Sequence, residues 1–187
     1  MKRRIFIAVN LPQKIKEELT DLISTLQKNN QQSFIKWINP ENLHITLHFL
    51  GYLNEEEIKK VNQIMEEKTQ PIRCELRMIN IDAFPNLSRP RVIFIAIEEI
   101  GDKRLSNLQK ELGIYLEKEG FEIEKRPWQP HLTLARIKNS TPGNKFKFYP
   151  VPYSFHLLKF KIRSIDLMES KLERGGAKYK LLLKKDV

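Results

Sequence analysis

The 187-residue chain carries the same unit twice. Ile5-Phe6-Ile7-Ala8-Val9 returns almost unchanged as Ile93-Phe94-Ile95-Ala96-Ile97, 88 residues further on. Each copy is followed by an amphipathic helical stretch, a tryptophan (Trp37, Trp128) and a proline (Pro40, Pro130), and then reaches one motif. That motif is His44-Ile45-Thr46-Leu47 in the first copy and His131-Leu132-Thr133-Leu134 in the second, an offset of 87. A strand–helix–loop–HxTL unit repeated at nearly half the chain length predicts two lobes related by an approximate two-fold axis. The units run over about residues 4–50 and 92–136. No Gly/Ser-rich linker divides them, so residues 1–187 are expected to form a single bilobal domain, with equivalent strands facing each other across a cleft.

Local patterns fill in the elements. Arg4–Val9 and Arg91–Ile97 read as strands, and Phe34–Trp37 and Leu43–Leu50 as extended segments. Pro12 suits the first turn of a helix carrying Ile15, Leu19, Leu22, Ile23 and Leu26 on one face. Asn54 with Glu57 is a capping-box start for a second helix, and Asp102 is the expected cap of a third that stops at Gly120. Ile72, Cys74, Leu76 and Met78 alternate with polar residues, and the phase shift at Ile79 and Ile81 predicts a bulge. Leu158, Phe160 and Ile162 alternate with Lys159, Lys161 and Arg163, and Tyr179, Leu181 and Leu183 with Lys178 and Lys180. Both stretches read as strands with apolar groups inward and cations outward. Helices mixed with hairpin-like strands, without a βαβα rhythm, give an α+β class with mainly antiparallel sheets lining the cleft and helices outside.

Composition removes several alternatives. No apolar run approaches the ~18 residues of a membrane-spanning helix, and Ile5–Val9 is too short for a signal-peptide core, so no membrane partner is expected. The single cysteine, Cys74, permits neither an internal disulfide nor a multi-cysteine zinc site and fits a reducing, cytoplasmic setting. The net charge of +10 is unevenly placed: residues 125–187 carry 15 Lys+Arg against 4 Asp+Glu, leaving the rest near neutral. A basic segment on a neutral body marks either a polyanion partner or a solvated lysine-rich surface.

Alternation along a strand puts His44 and Thr46 on one face, and His131 and Thr133 likewise. Two imidazoles titrating near neutrality can serve as base and acid on opposite sides of a phosphate, while two hydroxyls hold its oxygens. A single HxT is more often structural, but two copies retained where the rest of the repeat has diverged favour chemistry. His48 follows His44 at i+4, yet HxxxH converges on a metal only from a helix, and no Glu or Cys lies nearby to complete a set. No metal and no cofactor are therefore expected. His156 has no partner motif and reads as structural.

HITLHFLG and HLTLAR resemble the two signature motifs of the two-histidine (2H) phosphoesterases, and within them the RNA 2′,3′-cyclic phosphodiesterases long called 2′-5′ RNA ligases. The resemblance extends through RIFIAVNLP, IKWINPENLHITLHFLG, FPNLSRPRVIFIAI, RPWQPHLTLAR and MESKLERGGAKYKLL. It implies metal-independent hydrolysis of a 2′,3′-cyclic phosphate to a 2′-phosphomonoester, with His44 as proton donor, His131 as proton acceptor, and Thr46 and Thr133 on the phosphate. The implied partner is RNA with cyclic phosphate ends, or cyclic nucleotides; separately, the chain is expected to be a monomer.

Other residues carry two readings each. Arg136 shares the face of Thr133 only if the strand is irregular, and either neutralises phosphate or pairs with a surface acid. Trp37 and Trp128 either stack bases or pack in the core. Phe84, Arg89 and Arg91 form either an RNA contact or a basic turn, and Arg126 is a further candidate contact. The competing functions are a non-catalytic RNA-binding module, and the same chemistry on a cyclic ADP-ribose phosphate or 2′-5′ oligoadenylate. Intact paired imidazoles favour catalysis over pure binding.

Overall fold

The structure is a computed structural model and describes residues 1–138, 146, 158–174 and 176–187. The elements are β1 (Arg3–Asn10), α1 (Gln13–Asn29), β2 (Ile35–Trp37), a 3-10 turn (Pro40–Asn42), β3 (His44–Leu53), α2 (Glu55–Lys68), β4 (Glu75–Phe84), β5 (Val92–Ile100), α3 (Arg104–Lys118), β6 (His131–Ile137), β7 (Lys159–Lys161), β8 (Ser164–Glu173) and β9 (Gly176–Asp186). Among the described residues the strands form one curled antiparallel sheet in the order β7-β4-β5-β6-β3-β1-β8-β9, with β2 also on β6. The order is symmetric about the β6–β3 junction: β5 answers β1, and β4 answers β8. Each half also lends a strand to the other, since β4 pairs with β5 and β8 pairs with β1. The expected facing of equivalent strands therefore takes a closer form. β3 and β6 are neighbours, meeting where Ile45 lies opposite Leu132.

One face of the sheet is dry. Ile5, Ile7, Ile45, Ile93, Ile95, Leu132, Leu134 and Leu167 are fully buried there and cluster with the apolar faces of the helices. These faces are Ile15, Leu19, Leu22, Ile23 and Leu26 on α1, Ile58, Val61, Ile64 and Met65 on α2, and Leu105, Leu108, Leu112 and Leu116 on α3. The other face is left open to the cleft; among the described residues Phe6, Ala8 and Met168 form a small buried cluster there, with Tyr179 against it.

The helix starts show where short-range reading succeeds. Asn54 and Glu57 form the reciprocal capping box (2.6 and 2.9 Å), fully local in sequence. Pro12 sits one residue earlier than expected, at the cap of α1. Asp102 does not cap α3. Glu99, from the end of β5, accepts from the amides of Leu105 (2.5 Å) and Ser106 (3.2 Å) and from the Ser106 hydroxyl (2.9 Å). A carboxylate also opposes the positive end of the helix. The Cys74 thiol donates to the same carboxylate at 3.2 Å; burial first, and Glu99 second, push its pKa up to about 12.

The strands differ from the expectation at two places. Ile72–Cys74 lie outside the ladder, which begins at Glu75, although the predicted irregularity falls between Met78 and Ile81. Leu181 is 48% exposed rather than inward, because a register shift opposite Leu167 and Met168 resets the alternation of the edge strand β9.

His48 packs under α3, its Nε2 bonding the Gln109 carbonyl at 2.8 Å. A Cβ on Gly113 would stand 2.9 Å from the His48 Cε1. Gly113→Ala is therefore expected to lower stability by ~1–3 kcal/mol despite alanine's better helix propensity, because the tied ring cannot give way. Thermal denaturation checks this, and Gly113→Ala in a His48→Ala background should be tolerated better.

Candidate active site

The open face is built by alternation. With Ile45 and Leu132 buried opposite each other, His44 and Thr46 on β3 and His131 and Thr133 on β6 project to the other side, all half-buried. The antiparallel register sets each histidine beside the other copy's threonine. The two motifs thus lie side by side at the centre of the concave face.

A bulge follows each motif at the same repeat position. Ala8 pairs with Thr46 and Ile7 with His48, so Leu47 is the extra residue; Phe94 pairs with Thr133 and Ile93 with Ala135, so Leu134 is. An extra residue reverses the alternation beyond it. In β3 this turns His48 into the core, away from His44, so the two do not converge as a metal pair. In β6 it returns Arg136 to the face of His131 and Thr133. The irregularity that Arg136 needed is present. In the first copy the equivalent position is Phe49.

Both imidazoles are held alike. His44 Nδ1 lies 2.7 Å from the Asn42 carbonyl, and His131 Nδ1 lies 2.7 Å from the Gln129 carbonyl. A carbonyl only accepts, so Nδ1 carries the hydrogen and donates, leaving each Nε2 free to take or give a proton. Rings fix the remaining freedom. His44 stands between Phe6 (4.9 Å between centroids) and Tyr179 (5.1 Å), and His131 between Phe94 (5.2 Å) and Phe84 (5.2 Å). Phe6 and Phe94 are repeat equivalents; Tyr179 and Phe84 come from β9 and β4.

Burial dominates the electrostatics. It pushes the His44 pKa down to about 4, with the charges of His131, Arg136 and Lys16 adding to the effect and the Asn42 carbonyl opposing it. His131 is lowered too, by burial and then Arg136, against the Gln129 carbonyl. Burial raises the Tyr179 phenol, with Arg136 and Arg4 opposing, so it stays protonated at neutral pH. The free site therefore holds two neutral imidazoles under a positive field, a setting that an anionic phosphate would relieve.

The other sequence candidates are spread more widely. Phe84 reaches His131 through the ring contact. Arg89 and Arg91 are exposed on the β4–β5 connection, and the Arg91 backbone bonds Phe84 and Ile137. Trp37, half-buried, lies opposite Ala135 on the dry side and packs on Phe146 (6.1 Å), against the edge of the core. Trp128 donates its indole N–H to the Thr46 carbonyl (2.9 Å), tying the segment before His131 to the other motif's strand, and also packs on the core. Arg126 pairs with Glu124 (2.5 Å) and lines, with His48, Gln109 and Gly113, a groove to which neither His44 nor His131 contributes. Lys159 and Lys161 flank buried Phe160, opposite Arg77 and Glu75 on the open face, three strands and roughly 14 Å from β6. His156 lies outside the described residues.

Sequence reading missed Phe6, Phe94 and Tyr179 as ring partners. The repeated phenylalanine of IFIA was the available signal; nothing local marks Tyr179, whose approach depends on β8 and β9 folding back along β1.

Comparison with known proteins agrees with this geometry. The family model described as LigT like Phosphoesterase matches residues 9–94 and again 95–179, one match per half. The RNA 2′,3′-cyclic phosphodiesterase of Methanocaldococcus jannaschii is 33% identical over 180 residues, covering 96% of this chain and 98% of that one. A crystal structure from Thermus thermophilus superposes with a TM-score of 0.77 at 29% identity, covering 98% of this chain and 97% of that one. Escherichia coli LigT in apo form shares the fold, with a TM-score of 0.76 at 22% identity over 99% of this chain and 97% of its own. Two matched halves, each opening its central strand with an HxT motif on one open face, place this chain in the LigT-like family of 2H phosphoesterases.

Proposed function

We propose that the chain hydrolyses the 2′,3′-cyclic phosphate of RNA ends or nucleotides to a 2′-phosphomonoester, without a metal. The observation carrying this reading is the pair of Nδ1-anchored imidazoles beside two threonines and Arg136 on one concave face. The phosphate sits over Thr46 and Thr133, whose hydroxyls donate to its non-bridging oxygens, with Arg136 balancing the charge. His131 Nε2 removes a proton from water as the water oxygen bonds to phosphorus. The P–O3′ bond breaks, and His44 Nε2 gives its proton to the departing oxygen. A ribose 5′-hydroxyl in place of water gives a 2′-5′ linkage by the same displacement, which is ligation.

His44 must hold a proton to act as donor, yet the free site depresses it most. The bound phosphate supplies the compensating negative charge, and proton transfer is favoured once charge develops on O3′. Relatives that act as RNA 2′,3′-cyclic phosphodiesterases across nearly the full chain support the substrate class.

The test is direct. Chelator-treated protein is incubated with 2′,3′-cyclic nucleotides and with cyclic-ended RNA, and the phosphate position is read by phosphorus NMR. A 2′-phosphate is expected. A 3′-phosphate product, or activity restored only by a divalent ion, would overturn the reading.

A further inference from the structure

Phe49 and Tyr52 are two large rings that the fold does not use. They are 53% and 62% exposed, and neither belongs to a buried cluster. Their place is defined by β1: Phe49 pairs with Phe6 and Tyr52 with Arg4, both on the open face. A second register shift, between Ile5 and Phe6, lets both rings keep that face, with Gly51 taking the left-handed conformation (φ 74°) between them. The rings continue an aromatic path from the chemistry outward: His44 to Phe6 at 4.9 Å, Phe6 to Phe49 at 6.0 Å, then Tyr52 one step further along β3. His44, Thr46, Phe49 and Tyr52 lie opposite Asn10, Ala8, Phe6 and Arg4, so each step along this face advances two residues on β1, roughly 7 Å. Phe49 is also the repeat equivalent of Arg136. The same position carries a cation for phosphate in one half and an exposed ring in the other.

Resting on the reaction proposed above, we infer that Phe49 and Tyr52, with Arg4, form a stacking track for single-stranded RNA, holding the nucleotides that precede the cyclic end. Bases stack on aromatic faces whatever their sequence, while backbone phosphates need cations alongside. Arg4 stands opposite Tyr52, is exposed, and makes no ion pair among the described residues. The track joins the Thr46 end of the site directly, so a strand whose terminal phosphate reaches the imidazoles runs along it. A mononucleotide cannot extend so far. The enzyme is thereby biased toward oligonucleotide ends over free cyclic nucleotides.

The experiment compares Phe49→Ala, Tyr52→Ala and the double variant with the ring-keeping Phe49→Trp and Tyr52→Phe. For each, kcat/KM is measured on a cyclic-ended hexanucleotide and on a 2′,3′-cyclic mononucleotide, and Kd for a 2′-phosphorylated hexanucleotide by fluorescence anisotropy. Each alanine should lower the oligonucleotide-to-mononucleotide ratio of kcat/KM, and weaken the hexanucleotide Kd, by about fivefold or more; the ring-keeping variants should not. An unchanged ratio and Kd in the double variant overturn the inference. So does loss of self-association in sedimentation with RNA affinity retained, which would make the rings a contact between copies of this chain. A wild-type protein that binds the hexanucleotide but hydrolyses neither substrate would sink the proposed reaction alone, because the Kd series still decides the track.

Discussion

His131→Ala and His44→Ala are each expected to cut turnover of a 2′,3′-cyclic nucleotide by about 10²–10⁴ while the affinity for a 2′-phosphorylated product changes little. The separation follows from the site's construction. In the proposed reaction Thr46, Thr133 and Arg136 meet the phosphate, whereas the imidazoles contribute a mobile proton at Nε2. The two variants should part company with a substrate whose 3′ bridging oxygen is replaced by sulfur. A thiolate leaves without being protonated, so His44→Ala should recover most of its rate and His131→Ala should not. Recovery of His131→Ala alone would exchange the two roles. Equal failure of both on either substrate, with product binding also lost, would mean that the rings build the site rather than run the reaction.

The fold was legible in the sequence to the extent that its determinants are local or repeated. The capping box at Asn54, the apolar faces of the helices and the duplicated unit all lie within short windows. The exchange of strands between the halves does not, because nothing in Glu75–Phe84 or Ser164–Glu173 names the strand it will meet. The α3 cap is missed for the same reason: Glu99 lies in a strand pattern and reaches forward six residues to the Leu105 amide. The site shows the same division. Alternation alone places His44 with Thr46 and His131 with Thr133. The bulges at Leu47 and Leu134 then decide which residues beyond the motifs join them, and a bulge within HxTL has no composition of its own. The bulge at Leu47 hides His48 and exposes Phe49, and its counterpart at Leu134 presents Arg136.

Arg136→Ala is expected to lower kcat/KM by about 10²-fold and to move its pH profile upward. Imidazoles at their ordinary value of 6.5 would centre a bell near neutrality. In this site burial comes first and Arg136 adds to it, so both histidines lie lower, His44 at about 4. The kcat/KM profile, which reports the free enzyme, should therefore peak below pH 6.5. The kcat profile should peak at higher pH, because a bound phosphate offsets the cation and stabilises each imidazolium. Removing the positive charge of Arg136 favours the protonated rings, so both pKa values rise and the kcat/KM limbs shift toward neutrality. Arg136→Lys keeps the charge but loses the two-pronged donor geometry, so its rate should fall while its limbs stay in place. A rate loss in Arg136→Ala with limbs unmoved would show that the guanidinium grips substrate without setting the proton affinity of the pair. Unmoved limbs and an unchanged rate together would put Arg136 outside the reaction, and leave the two threonines alone to hold the phosphate.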